Sequence, residues 1–243
     1  MGFAKNFVGT VLDCLWPRHC FHCGDWLHGH SHYLHLCLRC VGSINFICGN
    51  SCPRCGHPHW DDNRGESDCW NCRGREFAFR SCRSLFEYNG LGRAIVREIK
   101  YRGSLFLLPD VGRLSRELFG DLRGKVLVPV PLHWRRRLLR GYNQSELICS
   151  ALASEHGCRT LRLLRRVKPT RQQVGLGRVQ RLENMVSAFA VDGHVVRKKK
   201  IARDEEIFLV DDVLTTGSTM HACAVALAGA GFRSVQALSL ARG

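Results

Sequence analysis

Eight cysteines in the first third of the chain obey one spacing rule, and nothing else in the sequence constrains the fold so strongly. Cys20-x2-Cys23 is followed after 13 residues by Cys37-x2-Cys40, and Cys52-x2-Cys55 after 13 residues by Cys69-x2-Cys72. Each cysteine of the first set thus recurs 32 positions later. A Cys-x2-Cys turn lets two thiolates grip one ion, and a second such turn completes a tetrahedron. The repeat predicts structural zinc, as one or two ions, with redox dithiols and an iron–sulfur site as competing readings. Spacing leaves the partition open: each module can close its own site, or the pairs can interleave. A segment this short has little core, so the metal supplies its folding energy. Cys14, Cys48 and Cys82 fall outside the repeat and read as small buried residues. The eight histidines of this half (19, 22, 28, 30, 32, 35, 57 and 59) read mostly as surface side chains.

In a small secreted chain, 11 cysteines within 82 residues would argue for disulfides. The first residues, MGFAKNFVGTVLDCLW, show no small-residue cleavage site before Pro17 and predict no secretory signal. A myristoylation reading at Gly2 fails at Asn6. The longest apolar run falls far short of the ~20 residues of a membrane-spanning helix. These features predict a soluble, cytoplasmic protein without a membrane span.

Near residue 83 the texture changes. Ser84–Tyr88, Lys125–Val130, Ile207–Val210 and Ser234–Ala241 read as strands. Helical spacing runs through Ala94–Lys100, and further helices are expected from near Asn143 and up to Ala230. Gly90-Leu-Gly92 reads as a turn, as does the arginine-dense stretch after His133. Alternating strands and helices predict an α/β fold with a parallel sheet covered by helices. The expected division is a cysteine-rich zinc-binding segment over 1–80 and an α/β domain over 81–243.

The formal charge is +15, and residues 133–203 carry 17 basic against 4 acidic side chains. Such a localised excess points to a polyanion, whether phosphate, pyrophosphate or nucleic acid; a solvated basic face is the bland alternative.

The sharpest site is Ile207-Phe-Leu-Val-Asp-Asp-Val-Leu-Thr-Thr-Gly-Ser-Thr219. An apolar strand ends in two carboxylates, then in a hydroxyl-rich loop opening a helix. Unpaired N–H groups and partial positive charge at a helix N-terminus hold phosphate. Thr215, Thr216, Ser218 and Thr219 add hydroxyls, and Gly217 lets the backbone approach closely. Asp211 and Asp212 suit vicinal ribose hydroxyls, directly or around a hydrated magnesium ion. Ordinary capping of a helix explains the hydroxyls but not two aspartates at the end of a buried strand. The run resembles the phosphoribosyl pyrophosphate motif of type I phosphoribosyltransferases, in which the acidic pair contacts ribose and the loop holds the 5-phosphate.

A second stretch, Val128-Pro-Val-Pro-Leu-His-Trp-Arg-Arg-Arg-Leu-Leu-Arg-Gly-Tyr-Asn-Gln-Ser145, places Arg135, Arg136, Arg137 and Arg140 after a strand. Arginine grips phosphate oxygens bidentately, so this turn suits a pyrophosphate leaving group. The stretch Arg166–Val186, with Thr170, Gln173, Arg181 and Asn184, reads as a long mobile loop or hood. On charge alone, both stretches also fit a nucleic-acid patch, with Trp134 and Tyr142 placed for stacking. No His-Glu-x-x-His, Walker loop or Gly-x-Ser-x-Gly occurs. The charged segment 194–206 suggests no function.

In this order, the paired cysteines, Ile99-Lys100-Tyr101-Arg102-Gly103, Pro129-Val-Pro-Leu-His133, Arg140-Gly-Tyr-Asn-Gln144, the Asp-Asp-Thr-Thr-Gly loop and a final Leu-Ala-Arg242 resemble the ComF family. The resemblance implies a type I phosphoribosyltransferase-like domain behind a zinc-finger segment. It also implies natural competence, single-stranded DNA and competence-machinery proteins as the setting. It adds Lys100 and Tyr101 to the substrate-binding residues. Two functions follow as expectations: a phosphoribosyltransferase using magnesium, or a zinc-containing DNA-binding module whose sugar-phosphate site is regulatory or vestigial.

Overall fold

The computed structural model describes residues 18–27, 32–49, 51–58, 69–132, 134–167 and 188–243, with the backbone alone for 134–136. Its elements begin with α1 (Leu38–Gly42), β1 (Cys82–Glu87), α2 (Gly90–Arg97), α3 (Leu108–Leu118), β2 (Val126–Pro129) and α4 (Trp134–Arg140). There follow α5 (Gln144–His156), β3 (Arg159–Thr160), β4 (Leu164–Arg166), β5 (Phe189–Val191) and α6 (Gly193–Lys198). The chain closes with β6 (Glu206–Leu214), α7 (Ser218–Gly229) and β7 (Ser234–Arg242).

Five strands pair in parallel in the order β1-β7-β6-β2-β3, giving the helix-flanked parallel sheet expected. β4 and β5 form a separate antiparallel ribbon. Parallel neighbours need crossovers, and α5 and α7 supply them between β2 and β3 and between β6 and β7. Buried on both faces, the central strands alternate which core they serve. Phe208 and Val210 join α2, α3 and α5 on one side, while Ile207 and Leu209 join α7 and Val196 of α6 on the other.

The cysteine-rich residues pack on this scaffold. Cys20, Leu27, Leu36, Cys40 and Ile44 share one apolar cluster with Phe86, Ile95, Val111 and Leu114. The carboxylate of Asp110 on α3, fully buried, accepts the N–H groups of Leu34 and His35 at 2.7 Å each. Residues 45–47 add an antiparallel bridge, Phe46 to Phe86, along β1, which blunts that sheet edge.

Several expectations need correction. Gly90-Leu-Gly92 opens α2 instead of turning. Gly92 is required there because a Cβ would lie 2.6 Å from the Phe86 ring. The arginine-dense stretch is a helix, α4, as suits a run of arginine and leucine behind Pro129 and Pro131. β6 does not end at the carboxylates: its pairing with β2 stops at Val210, but β7 carries it on to Leu214. Cys82 is buried as expected, whereas Cys48 is exposed. Cys14 and residues 168–186 of the expected hood lie outside the described residues. No helix among the described residues is long and apolar enough to cross a membrane.

Candidate functional site

Two sites are built from local sequence. The first is the pair of cysteine tetrads. Cys20, Cys23, Cys37 and Cys40 bring their sulfurs within 4.8 Å of one another, and Cys52, Cys55, Cys69 and Cys72 do the same. Each module therefore closes its own site. Three sulfur pairs lie 3.7 Å (Cys23–Cys37), 3.7 Å (Cys52–Cys72) and 3.6 Å (Cys55–Cys69) apart. A zinc ion with bonds of ~2.3 Å needs tetrahedral edges of about 3.8 Å, so both tetrads fit it. Within each tetrad the thiols are split: one is lowered, while burial and the neighbouring thiols raise Cys40 in the first and Cys69 and Cys72 in the second. Burial opposes charge at Cys20, but backbone N–H groups of Cys23, Cys37 and His22 outweigh it and bring the thiol down to about 6. At Cys55 burial is likewise outweighed, by the Asn71 amide and the His57 N–H, bringing it to about 7. Cys82, by contrast, is pushed up to about 12 by burial and suits packing rather than ligation.

The second site lies just past the carboxyl end of β2, where β6 runs on beside β7 alone; open parallel sheets bind their ligands at such strand ends. β6 carries Asp211 and Asp212. The Ser145 hydroxyl, in the first turn of α5, donates to Asp211 Oδ1 at 2.9 Å, and the Asp212 N–H donates to the same oxygen at 2.9 Å. Burial, then the neighbouring Asp212 charge, pushes the Asp211 carboxyl up to about 7. Lys100 Nζ reaches Asp212 at 3.1–3.2 Å. The acidic pair is thus asymmetric, one carboxylate under a hydroxyl and the other against an ammonium.

Beyond it, Thr215 and Thr216 are exposed, and Gly217 (φ +76) caps α7. Thr216 and Ser218 hydroxyls lie 2.8 Å apart, which fixes the turn. Gly217 is obligatory on two counts: its φ disfavours side chains, and a Cβ would lie 2.9 Å from the Phe77 ring. Thr219 is half-buried in the first turn of α7.

Lys100 and Tyr101 sit on a π-helical turn, Glu98–Arg102, that continues α2. Tyr101 is 65% exposed, and the Arg140 guanidinium lies over its ring, 4.9 Å from the centroid. Lys100, Tyr101, Arg102, Leu139, Arg140 and Tyr142 line a cleft of about 640 Å³ beside the acidic pair. Lys100 thus links the two groups: it pairs with Asp212 and lines the cleft in which Arg140 covers Tyr101. Arg137 is exposed on α4, and the side chains of Arg135 and Arg136 lie outside the described residues.

Sequence reasoning missed the brackets that hold this arrangement. Asn143, expected only as lying near a helix start, caps α5 by accepting the Ser145 N–H and ties to the Val130 carbonyl at 3.0 Å. The Tyr142 hydroxyl donates to Ile99 O at 2.7 Å, clamping the Lys100 turn to the link between α4 and α5. Arg242, 4% exposed, donates to the carbonyls of Leu214 and Thr215 beneath the hydroxyl turn. Of these, only the helix cap has a local sequence signature.

Comparison with known proteins agrees with the motifs. Residues 11–73 match the family model of the double zinc ribbon domain. The chain is similar to Competence protein F of Haemophilus influenzae, 28% identical across 92% of this chain and 96% of that protein. It is 28% identical to Competence protein ComFC of Bacillus subtilis, over 76% of this chain and 75% of that one. The DNA utilization protein YhgH of Salmonella typhimurium is 29% identical over 85% and 90%. The ComF resemblance carried by the motifs is borne out by these relatives.

Proposed function

We propose that this chain is a phosphoribosyltransferase-type protein that binds phosphoribosyl pyrophosphate with magnesium and acts in competence, in the handling of incoming single-stranded DNA. The competence setting rests on the names of the relatives. In this reading residues 1–80 form the zinc-binding segment and 81–243 the donor-binding domain, working in the cytoplasm with competence-machinery proteins.

One observation carries the chemical part: an acidic pair held by Ser145 and Lys100 immediately precedes a hydroxyl-lined, glycine-capped helix N-terminus. Asp211 and Asp212 take the ribose hydroxyls, and Thr215–Thr219 the 5-phosphate. Magnesium, when bound, screens the pyrophosphate charge; two carboxylates suit it as donors. In this reading Lys100 and Arg140, together with Arg135, Arg136 or Arg137 of the arginine-dense stretch, supply the positive charge that binds the departing pyrophosphate. In a bond-breaking transition state this is the main source of rate. Tyr101 lines the approach.

A second reading, a DNA-binding module with a regulatory sugar-phosphate site, draws support from the exposed Tyr101 in its cationic cleft. Thermal unfolding separates the two. Phosphoribosyl pyrophosphate with magnesium should raise the Tm of the zinc-loaded chain, and the Asp211→Asn/Asp212→Asn variant should lose that shift. Steeply salt-dependent DNA binding without any such shift would favour the second reading.

A further inference from the structure

The two cysteine modules share a spacing but not a neighbourhood, and one of them abuts the hydroxyl turn. Phe77 packs against the cluster of Cys52, Cys55, Cys69 and Cys72. The same ring lies on Gly217, with Cε1 only 2.9 Å from where a Cβ would stand. Two further contacts fix this bridge. Phe77 stacks on Phe79, which is buried in the core around α7, at 4.9 Å and 22°. The Ala78 N–H donates to Nδ1 of His221, one turn into α7, at 3.1 Å. On the metal side, the Asn71 amide reaches Cys55 Sγ at 3.4 Å and its carbonyl accepts from Arg75 at 3.0 Å. A continuous path therefore runs from the second tetrad, through residues 71–78, to the cap of α7.

The turn is a loop whose shape is set from outside. Gly217 adopts a left-handed conformation, and Arg242 fixes the entry at Leu214 and Thr215. Phe77 is the contact against the glycine itself. A tetrad without its ion loses the bonds that close it, and with them much of the folding energy of the segment carrying Phe77.

From this we infer that Phe77 is a positioning residue for the anion-binding turn. Through it, metal occupancy of Cys52, Cys55, Cys69 and Cys72 sets the affinity of that turn for a sugar phosphate. The inference rests on the reading of Asp211–Thr219 as a sugar-phosphate site. Because coupling between two bound species is reciprocal, a bound sugar phosphate must tighten the hold on the second ion by the factor it gains from that ion. The first tetrad, packed toward α2 and α3, should feel none of it.

The test uses the full zinc-loaded chain with phosphoribosyl pyrophosphate as probe and magnesium constant throughout. Zinc release to a colorimetric chelator is followed with and without the probe, and probe affinity is measured by calorimetry. The expected result is protection of one zinc ion of two, with Phe77→Ala abolishing that protection and weakening the probe on the order of tenfold. His221→Ala, which frees the same segment from the α7 side, should lower affinity in the same direction even if Phe77→Ala folds poorly. Equal protection of both ions, or wild-type affinity in a Phe77→Ala chain retaining two ions, overturns the coupling alone. A wild-type chain that binds no probe overturns the sugar-phosphate reading and the coupling together.

Discussion

The two cysteine modules have identical ligand spacing, yet the chain uses them differently. The first is the more open, with Cys23 exposed and Cys37 half-buried, and it merges into the main core beside α2 and α3. Asp110 staples it there through two backbone N–H groups. The second keeps three of its four cysteines buried in a small cluster of its own, closed by Phe77. Ligand spacing decides how an ion is gripped. The residues between and after the ligands decide what that grip supports, which is scaffold attachment in the first module and the Gly217 turn in the second.

The sharpest way to break this comparison is to disable one module at a time. Cys55→Ser should cost the second ion and weaken phosphoribosyl pyrophosphate toward the upper end of the ~5–150-fold range of such couplings. Cys23→Ser should cost the first ion and change affinity less than about twofold. Metal content and calorimetry check both, and equal losses would erase the distinction.

A smaller effect separates support from chemistry. Asp211, held up near 7, must be ionised to serve the ribose or magnesium, so affinity should rise as pH rises through that value. With one proton at stake, about tenfold separates pH 6 from pH 8. Asp211→Asn should flatten the profile after correction for ligand titration. Phe77→Ala should lower it without moving its midpoint, because that residue positions the turn and does not titrate.

The smallest effect on the site belongs to Asp110→Ala. Two part-buried N–H groups lose their charged acceptor, which costs about 1–3 kcal/mol, read as a lower Tm. Affinity for the sugar phosphate should stay within about twofold of wild type.

What could be read beforehand follows the range of the interactions. The tetrads, the apolar run of β6 and the hydroxyl turn are local patterns, each within about two dozen residues, and their geometry matches their spacing. Ser145 meets Asp211 from 66 positions away and Leu34 meets Asp110 from 76. Phe77 and Gly217 are farther apart still. None of these leaves a periodicity in the sequence. Secondary structure misled where packing overrode propensity, as at Gly92, where glycine serves a helix by letting it approach Phe86. The arginines of α4 were visible as charge, but only the tertiary structure shows Arg140 over Tyr101, beside the Lys100–Asp212 pair.

The central claim is that Asp211–Thr219 is a sugar-phosphate site. Calorimetric titration of phosphoribosyl pyrophosphate with magnesium into the zinc-loaded chain, alongside the Asp211→Asn/Asp212→Asn variant, tests it most directly. The account predicts micromolar binding to the wild-type chain and none to a variant with unchanged zinc content. Equal binding to both, or no binding to a folded wild-type chain, contradicts it.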